Sequence, residues 1–394
     1  MNTPVLFTIN AGSSSIKFAI YEVAAHLQEL ARGQISAIGG HSHLTVHLRG
    51  ALDTHQEIDT PDHSSALDAI LAACAPLLEG HIIAGVGHRV VHGGTAYTTP
   101  VVITDQVLDA LAQYQPLAPL HQPHNLAGIR AARHAFPDAV QVACFDTAFH
   151  RGHPWVNDTF ALPREYYNRG VRRYGFHGLS YEYLSGALKR EAPELHAGRV
   201  IIAHLGNGAS MCAVKNGISV GSTMGFSALD GLPMGTRCGQ IDPGVLLYLI
   251  QEEGMDAEAL SDLLFKQSGL KGLSGISNDL RVLEASAEPA AKQAIDYFVF
   301  RIRRELGAMT PVLGGLDGLV FSGGIGENSA RIRREVCAGL DWLGISLDQD
   351  ANNNNARDIG TGAVRVMVIP TDEERVIARA TREALEGHAP SGKQ

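Results

Sequence analysis

Cysteines are few in this sequence, and none stand close enough together to act as a pair. The five cysteines of the 394-residue chain lie far apart, at positions 74, 144, 212, 238 and 337. An odd, scattered set without a Cys-x-x-Cys spacing argues against a disulfide framework and against a thiolate zinc site. We therefore expect the protein to work in a reducing compartment, the cytoplasm.

The sequence also lacks a long hydrophobic run. No apolar segment approaches the roughly 20 residues of a membrane-spanning helix, and the N-terminus shows no basic region followed by an apolar core. The net charge is −9, from 32 basic and 41 acidic residues, which argues against general nucleic-acid binding. We expect neither a membrane nor a nucleic acid as a partner. An acidic protein that binds anionic substrates must concentrate its positive charge locally.

Two common phosphate-binding signatures are missing as well. The chain has no Walker A sequence, which argues against a P-loop NTPase, and it has none of the protein-kinase motifs. Its length and its 45% hydrophobic content are typical of a globular protein with two domains. Strand patterns mixed with helix patterns predict an α/β fold.

What the chain does have is a hairpin pattern near its N-terminus. Apolar residues alternate on both sides of an Asn-Ala-Gly-Ser-Ser-Ser tip at residues 10–15, which predicts two strands and a turn. The alternation places Val5, Phe7 and Ile9 on one face, and Ile16, Phe18 and Ile20 on another. Small residues allow the backbone of such a tip to approach a polyphosphate. The alternative is an ordinary surface turn.

A second segment, 199–214, repeats the form with a Gly-Asn-Gly-Ala-Ser tip. A third, 319–328, predicts a buried strand that ends in a glycine turn, with a helix starting near Asn328 or Ser329. The free N–H groups of a helix start can bind an anion. Two similar hairpins nearly two hundred residues apart indicate a duplicated domain with a nucleotide between the halves.

Further apolar patterns predict the other elements. Strands are expected at His81–Val91, Gln141–Phe145 and Val364–Ile369. Helices are expected at Ala66–Leu78, about 104–114, from about 180, at Gly244–Glu253, Ala290–Leu306 and Ala330–Leu340, and from about 373.

Over essentially its whole length, from Asn10 to the Pro-Thr-Asp-Glu-Glu segment at 370–374, the chain resembles the acetokinase family. This family belongs to the acetate and sugar kinase, heat-shock cognate and actin superfamily. The segments that carry the resemblance are His-Arg-Val-Val-His-Gly-Gly at 88–94, Phe-Asp-Thr-Ala-Phe-His at 145–150, Arg-Tyr-Gly-Phe-His-Gly at 173–178 and Met-Gly-Thr-Arg-Cys-Gly at 234–239.

The resemblance implies two duplicated actin-like ATPase domains, of the ribonuclease H-like type, with a nucleotide cleft between them. We place the N-terminal domain at 1–150, joined by a C-terminal helix at about 374–394. The nucleotide-binding domain is placed at 151–373. The implied reaction is direct in-line transfer of the ATP γ-phosphoryl group to acetate, giving acetyl phosphate and ADP reversibly. Propionate is the alternative acceptor, and a homodimer is implied.

Two arginines are candidates for binding anions. Arg89 follows an apolar run, and Arg237 lies in a loop rich in glycine and threonine. Each guanidinium can bind a carboxylate or phosphate through two N–H donors. A structural salt bridge is the alternative for any arginine. The resemblance assigns both to the active site, for carboxylate binding and for the charge of the transition state.

Histidines and carboxylates supply further candidates. His177 can donate a hydrogen bond to a transferring phosphoryl group or act as a nucleophile; a core histidine is the alternative, and the resemblance implies transition-state stabilisation. His121 matches a second active-site histidine. Asp146 ends an apolar strand, where a carboxylate commonly faces an α/β cleft. The resemblance makes it catalytic.

Mg²⁺, or Mn²⁺ in its place, is the implied metal. The resemblance assigns it to Glu373 with Asn10 nearby, and Mg²⁺ needs only one or two protein ligands when phosphates supply others. The adjacent Glu374 is an alternative ligand, and helix capping is the alternative role for Glu373.

The resemblance also implies the two substrate sites. Arg89, Val91, Leu120, Phe176 and Ala228 match the acetate-binding set; the family usually has proline at the position of Ala228. The nucleotide set consists of Lys17, His204, Gly206, Asn207, Gly208, Asp279, Leu280, Arg281, Gly324, Ile325, Gly326 and Asn328. At Leu280 the family usually has an aromatic residue, so stacking of the base is not expected from this side chain.

Two other classes of function remain as distant alternatives. The histidine pairs 88/92, 121/124 and 150/153 have spacings that would place two imidazoles on one helical face, as in a metal-dependent hydrolase. None lies in a His-Glu-x-x-His segment. A non-catalytic actin-like ATP-binding module would keep the hairpins but would not need Arg89, His177 and Arg237 together.

Overall fold

A computed structural model describes residues 3–12, 14–24, 26–50, 53–119 and 121–388. The chain divides into two compact units. The first unit contains the chain up to Ala148 together with the segment from Asp372, and the second unit is Phe149–Thr371. The boundaries expected from the sequence, at 150 and 373, each lie two residues beyond these limits.

Within its described residues, the first unit contains a mixed sheet of eight strands. Its strands are β1 (Thr3–Ala11), β2 (Ser15–Glu22), β3 (Gln28–Ser36), β4 (Gly40–Leu48), β5 (Thr54–Thr60), β6 (His81–Val90), β7 (Val101–Val102) and β8 (Val140–Phe145). Their order in the sheet is β5-β4-β3-β2-β1-β6-β8-β7. The parallel strands β1, β6 and β8 lie side by side, so their carboxyl ends share one edge.

The first predicted hairpin is confirmed, but one detail of its faces is wrong. Strands β1 and β2 pair antiparallel, with Phe7 opposite Ile20 and Ile9 opposite Phe18. Directly opposed residues of an antiparallel pair project to the same side of a sheet. The two apolar sets therefore share one face and one core rather than two faces.

Strands β3, β4 and β5 were not predicted from the sequence. They extend the sheet beyond β2, and most of their side chains are only partly buried or exposed. The buried apolar residues in β4, Leu44 and Val46, alternate with polar ones.

Helices cover both faces of the central strands. Helices in this unit are His63–Leu78, Asp105–Ala112, Gln122–Ala135 and Glu373–His388. The first packs Ala66 and Ile70 into the main core, and the C-terminal helix packs Ala378 against the opposite face. Gly87 in β6 permits this second contact, because a Cβ there would collide with Thr381 and Ile377 of the C-terminal helix.

The second unit repeats the arrangement of the first. Its strands are β9 (Arg199–Leu205), β10 (Ala209–Lys215), β11 (Ile218–Ser222), β12 (Gly318–Ser322) and β13 (Arg365–Val368), in the order β11-β10-β9-β12-β13. Strand β9 pairs antiparallel with β10 and parallel with β12, and β12 pairs parallel with β13. The first unit shows the same pairings in β3-β2-β1-β6-β8. The duplicated fold is therefore confirmed.

The second unit carries most of the helices. They are Trp155–Asp158, Arg164–Asn168, Gly178–Glu191, Pro193–His196, Pro243–Gln251, Ala257–Asp262, Gly269–Ser274, Leu280–Ala285, Pro289–Leu313, Gly323–Asn328, Ala330–Cys337 and Gln349–Asn353. The glycine turn expected after β12 is itself the short helix Gly323–Asn328. Ser329 caps the next helix by accepting from Ile332 N–H. Across the described ranges, no helix is both long enough and apolar enough to cross a membrane.

Candidate active site

The first unit holds an arginine enclosed by polar partners. Arg89 Nε lies 3.0 Å from both carboxylate oxygens of Asp146, and its Nη2 lies 2.6 Å from Oδ2. Arg89 Nη1 donates to Asn10 Oδ1 at 3.0 Å. Asp146 is 1% exposed. This is the bidentate geometry of a strong charge-assisted pair, so Arg89 forms the salt bridge that was the alternative interpretation of this arginine.

The sheet brings these residues together. Arg89 is the second-last residue of β6, and Asn10 is the second-last residue of β1. Asp146 directly follows β8. The Asp146 N–H donates to the Val90 carbonyl at 3.1 Å, which extends the pairing of the two strands by one residue. The three side chains thus meet at the carboxyl edge of parallel strands, where α/β proteins commonly bind ligands.

Negative charge accumulates beside this arginine. Glu373 Oε2 lies 4.0 Å from Arg89 Nε, and the Glu373 side chain is 15% exposed. Burial raises the pKa of Glu373 to about 7; Arg89 lowers it, while Asp146 and Glu374 add to the rise. Two hard oxygen donors, Glu373 and Asn10, and an excess of carboxylates fit a divalent cation whose other ligands are water or phosphate. The described residues contain no cluster of three or more His, Cys, Asp or Glu side chains placed to hold a metal alone.

A buried asparagine that sequence reasoning missed ties this region together. Asn125 donates from Nδ2 to the Ala11 carbonyl at 2.6 Å and accepts at Oδ1 from Val91 N–H at 2.9 Å. It therefore fixes the residues that follow Asn10 and Arg89 in the chain. No motif marked it, because its two partners lie 114 and 34 residues away.

Two further predicted residues belong to the first unit. His121 directly precedes the helix Gln122–Ala135. Val91 is buried and directly follows β6. Leu120 lies outside the described residues.

In the second unit, His177 has an unusual backbone and a defined set of neighbours. Its φ is 57°, in the left-handed region, which few non-glycine residues adopt and which is enriched at functional sites. Its Nδ1 lies 2.8 Å from Ser210 Oγ, and its ring stacks on His204 with the centroids 4.4 Å apart. His204 Nδ1 in turn lies 2.8 Å from Ser180 Oγ.

The tip of the second hairpin approaches His177 closely. A Cβ at Gly208 would lie 3.3 Å from His177 Nε2 and 4.0 Å from Arg237 Nη1, so a larger residue would crowd the space that these two donors face. Arg237 Nη1 donates to the Ala228 carbonyl at 3.0 Å. Phe176 is buried, and its carbonyl lies 2.9 Å from His150 Nε2.

A cavity of about 640 Å³ lies in the second unit. Eight of the twelve predicted nucleotide residues line it: Gly206, Asn207, Asp279, Leu280, Arg281, Gly324, Ile325 and Asn328. Its volume is within the usual range for a small-molecule site. Leu280 is only 4% exposed, so it forms wall rather than a free stacking surface. Asn278, Glu284 and Ser329 also line the cavity and were not predicted.

The other four predicted nucleotide residues lie elsewhere. His204 and Gly208 belong to the His177 region described above. Gly326 packs near the Phe321 and Ala203 backbone. Lys17 lines a groove of the first unit with Arg32 and Glu374, among others.

The helix start after β12 was expected to offer free N–H groups to an anion, but a carboxylate of the protein already accepts from one of them. Gly323 N–H donates to Glu327 Oε1 at 2.9 Å, and the same oxygen accepts from Thr371 N–H at 3.2 Å. The Glu327 carboxylate therefore accepts the hydrogen bond of the first N–H group of the short helix. It also connects this helix to the segment after β13.

Among the described residues, none of the histidine pairs that suggested a hydrolase belongs to a cluster of three or more potential metal ligands. His88 lies within β6, 2.8 Å from Gln141 Oε1, and not on a helix. His150 and His153 both contact Ser219 Oγ. Burial lowers the pKa of His88 to about 4 and that of His150 to about 3, so these rings serve as neutral core residues.

Known proteins are similar to this chain over nearly its whole length. The sequence profile of the Acetokinase family matches residues 5–379. Acetate kinase from Methylocella silvestris is 54% identical, with 97% of this chain and 98% of that protein aligned. Two crystal structures are similar in fold. Porphyromonas gingivalis acetate kinase has a TM-score of 0.87 and 38% identity, covering 97% of this chain and 100% of that one. A propionate kinase from Francisella tularensis has a TM-score of 0.90 and 35% identity, covering 96% and 99%.

Proposed function

Because the chain belongs to the acetokinase family, we propose that it transfers the γ-phosphoryl group of ATP to acetate, giving acetyl phosphate and ADP, and that it catalyses the reverse reaction. Membership of this family indicates that the protein is a phosphotransferase, which uses ATP and has a carboxyl group as acceptor. The observation that carries the proposal is the match over residues 5–379, which includes every candidate residue of both units.

The second unit supplies the nucleotide side of the reaction in this proposal. The cavity lined by Asn207, Ile325 and Asn328, among others, takes the nucleotide. His177 and Arg237 face the Gly208 tip and act on the transferring phosphoryl group. Phosphoryl transfer depends on positioning and on stabilising charge, and an imidazole N–H and a guanidinium supply both. His204 and Gly326 of this unit, and Lys17 of the first unit, do not line this cavity and are also proposed as nucleotide-binding residues.

The first unit supplies the acceptor side. Arg89, fixed by Asp146 and Asn10, binds the acetate carboxylate, and Asp146 keeps its guanidinium in one orientation. Val91 and Leu120 of this unit are proposed substrate-binding residues. Phe176 and Ala228, which belong to the second unit, are proposed for the same role. His121 is proposed to assist at the carboxylate.

The proposed metal is Mg²⁺, or Mn²⁺, with Glu373 and Asn10 as its protein contacts. The cation would neutralise charge on the ATP phosphates. Burial raises the pKa of Glu373, and the carboxylates of Asp146 and Glu374 add to the rise; this local negative charge supports a cation at this position. Glu374 is the competing candidate.

Propionate is the second candidate acceptor. One of the similar structures is a propionate kinase, and Ala228 replaces the proline that the resemblance leads us to expect. The values of kcat/KM for acetate, propionate and butyrate decide between the two acceptors. We expect acetate to give the highest value; a higher value for propionate would reassign the acceptor.

We also propose a homodimer that works in the cytoplasm. The helix Pro243–Gln251 has no buried residue, although it is rich in apolar side chains: Leu247 is 56% exposed and Tyr248 is 53% exposed. Contiguous exposed apolar residues commonly mark interfaces. The five cysteines are free thiols, as a reducing compartment requires.

Light scattering after size exclusion tests the dimer. Leu247→Glu should shift the mass toward one chain, because a charge would be buried in the interface. Trp342, which is exposed and lies outside this helix, offers the control Trp342→Glu, which should leave the mass unchanged. A single-chain mass for the parent protein at micromolar concentration would contradict the dimer.

A further inference from the structure

A chain of three polar groups leads from the interior of the second unit to His177. Tyr181 OH lies 2.5 Å from Ser210 Oγ, and Ser210 Oγ lies 2.8 Å from His177 Nδ1. Tyr181 and Ser210 are both fully buried, so water does not reach either hydroxyl. Tyr181 lies on the helix that His177 begins, and Ser210 lies at the start of β10.

The positions of the hydrogens follow from counting donors and acceptors. Among the described residues, the structure gives neither hydroxyl any further acceptor. If Tyr181 donates to Ser210 and Ser210 donates to Nδ1, both hydroxyl hydrogens are bound. If Nδ1 carried a proton, it would donate to Ser210 Oγ, and one buried hydroxyl hydrogen would have no acceptor. Leaving a buried donor unsatisfied is unfavourable, so the first arrangement is favoured.

The state of the phenol agrees with this arrangement. Burial raises the pKa of Tyr181 well above its usual range, so Tyr181 keeps its proton and remains a donor. The stacked ring of His204 restricts rotation of the His177 ring about its own axis, and a Cβ at Gly208 would be 3.3 Å from Nε2. The nitrogen opposite Ser210 therefore points toward the hairpin tip.

We propose that Ser210, oriented by Tyr181, is a positioning residue that holds His177 as the neutral tautomer with its proton on Nε2. The inference rests on the proposed function, since it defines how His177 would serve phosphoryl transfer. A protonated Nε2 donates a hydrogen bond and has no lone pair for attack on phosphorus. His177 thus acts as a donor to the phosphoryl oxygens, and a phosphohistidine at Nε2 does not form.

The direct test is a long-range ¹H–¹⁵N spectrum of the full chain labelled with ¹⁵N-histidine. Signals of His177 are those that disappear in His177→Gln. In the parent protein we expect Nδ1 to show the shift of an unprotonated nitrogen and Nε2 that of a protonated one. The opposite pattern would overturn the proposal. This readout needs no activity, so it decides the tautomer even if acetyl phosphate formation were to fail.

Variants then connect the tautomer to catalysis. Ser210→Ala should move both nitrogen signals toward the average of the two tautomers. It should also lower kcat by about 10–100-fold, the scale seen for partners that orient metal-bound histidines, with KM for ATP and acetate unchanged within about twofold. Ser210→Thr keeps the hydroxyl and should keep the parent spectrum. Unchanged spectrum and kcat in folded Ser210→Ala would refute the role of Ser210.

Two further variants make the test robust. Ser185→Ala is the matched control. Ser185 is a buried serine on the same helix as Tyr181, and its Oγ lies 3.5 Å from the Nδ1 of another histidine, His196. This variant should change neither the His177 signals nor kcat. If Ser210→Ala does not fold, Tyr181→Phe, which preserves the ring, carries the test of positioning. It should keep the Nε2 proton and lower kcat by a smaller factor than is expected for Ser210→Ala. Full activity in Tyr181→Phe would remove Tyr181 from the proposal.

Discussion

The two hairpins share a topology but differ in chemistry. Each consists of an antiparallel pair beside a central parallel strand, β1 and β2 in one unit and β9 and β10 in the other. Near the first tip, Asn10 contacts the buried ion pair of Arg89 and Asp146. Near the second tip, Ser210 contacts His177 through neutral groups. The same backbone therefore supports an ionic cluster in one unit and a hydrogen-bonded imidazole in the other, as expected when function depends on side chains placed on a common fold.

This difference predicts unequal consequences for stability. A buried ion pair leaves an uncompensated charge when one partner is removed, which typically costs about 3–5 kcal/mol. Removing one member of a neutral hydrogen-bonded pair typically costs only about 1–3 kcal/mol. Variants of the first unit should thus lose both activity and stability, whereas variants of the second should lose mainly activity.

The largest effect is expected for the arginines. Arg89→Ala and Arg237→Ala should each lower kcat/KM by about 10³–10⁵-fold, the range for a guanidinium that stabilises phosphoryl transfer. Arg89→Ala should also lower the free energy of unfolding by several kcal/mol, because Asp146 loses its partner. Arg237 Nη1 donates to the Ala228 carbonyl and to Met234 Sδ. Losing a hydrogen bond to a neutral group costs less than leaving a buried charge without its partner, so we expect Arg237→Ala to lower the free energy of unfolding less. Steady-state kinetics and urea unfolding measure both quantities.

Lysine variants are the control for this pair. A lysine keeps the charge but not the two-pronged donor geometry, so Arg89→Lys and Arg237→Lys should recover activity only in part. Full activity in either would show that its arginine is a structural ion-pair partner, and equal losses of stability in the two alanine variants would contradict the comparison.

The next effect concerns His177. His177→Ala should lower kcat by about 10²–10³-fold, the loss seen when one transition-state donor is removed, and leave KM for ATP within a small factor. Single-turnover measurements should show that phosphoryl transfer itself is slowed. Normal single-turnover transfer in the variant would remove His177 from the mechanism.

A smaller effect is expected at the proposed metal contact. Glu373→Gln should raise the Mg²⁺ concentration for half-maximal activity by about 10–100-fold, since the variant keeps the shape but loses a charged ligand or the support of a metal-bound water. Glu374→Gln is the matched comparison and should change it less. If the titration curves of Glu373→Gln and the parent coincide, Glu374 or Asp146 becomes the better candidate.

The smallest effect is expected from Ala228. The side chain is small, and the carbonyl of this residue, which proline would keep, binds Arg237. Ala228→Pro should shift the propionate/acetate ratio of kcat/KM toward acetate by about tenfold, the low end for one methylene in an apolar pocket. An unchanged ratio in a folded variant would show that this position does not set acceptor size.

Local patterns were enough to predict the hairpins, because period-2 apolar runs on both sides of a small polar tip leave few other structures. The parallel strands β6 and β8 were predicted from their apolar runs in the same way. Strands β3 to β5 were missed because they expose most of their side chains and so carry little apolar pattern.

The contacts of the site could not be read from the sequence. Arg89 and Asp146 are 57 residues apart, and only the register of β6 and β8 brings them together. The same holds for Tyr181 and Ser210, which are 29 residues apart on a helix and a strand. Sequence patterns identify elements one at a time, whereas these pairs depend on how elements pack.

Product analysis tests the central claim most directly. Purified protein is incubated with MgATP, with and without acetate, and followed by ³¹P NMR. We expect acetyl phosphate and ADP in equal amounts, formed only when acetate is present, and ATP formation when acetyl phosphate and ADP are supplied. Release of inorganic phosphate from ATP without acetate, and no acetyl phosphate with it, would contradict the proposed phosphoryl transfer to acetate.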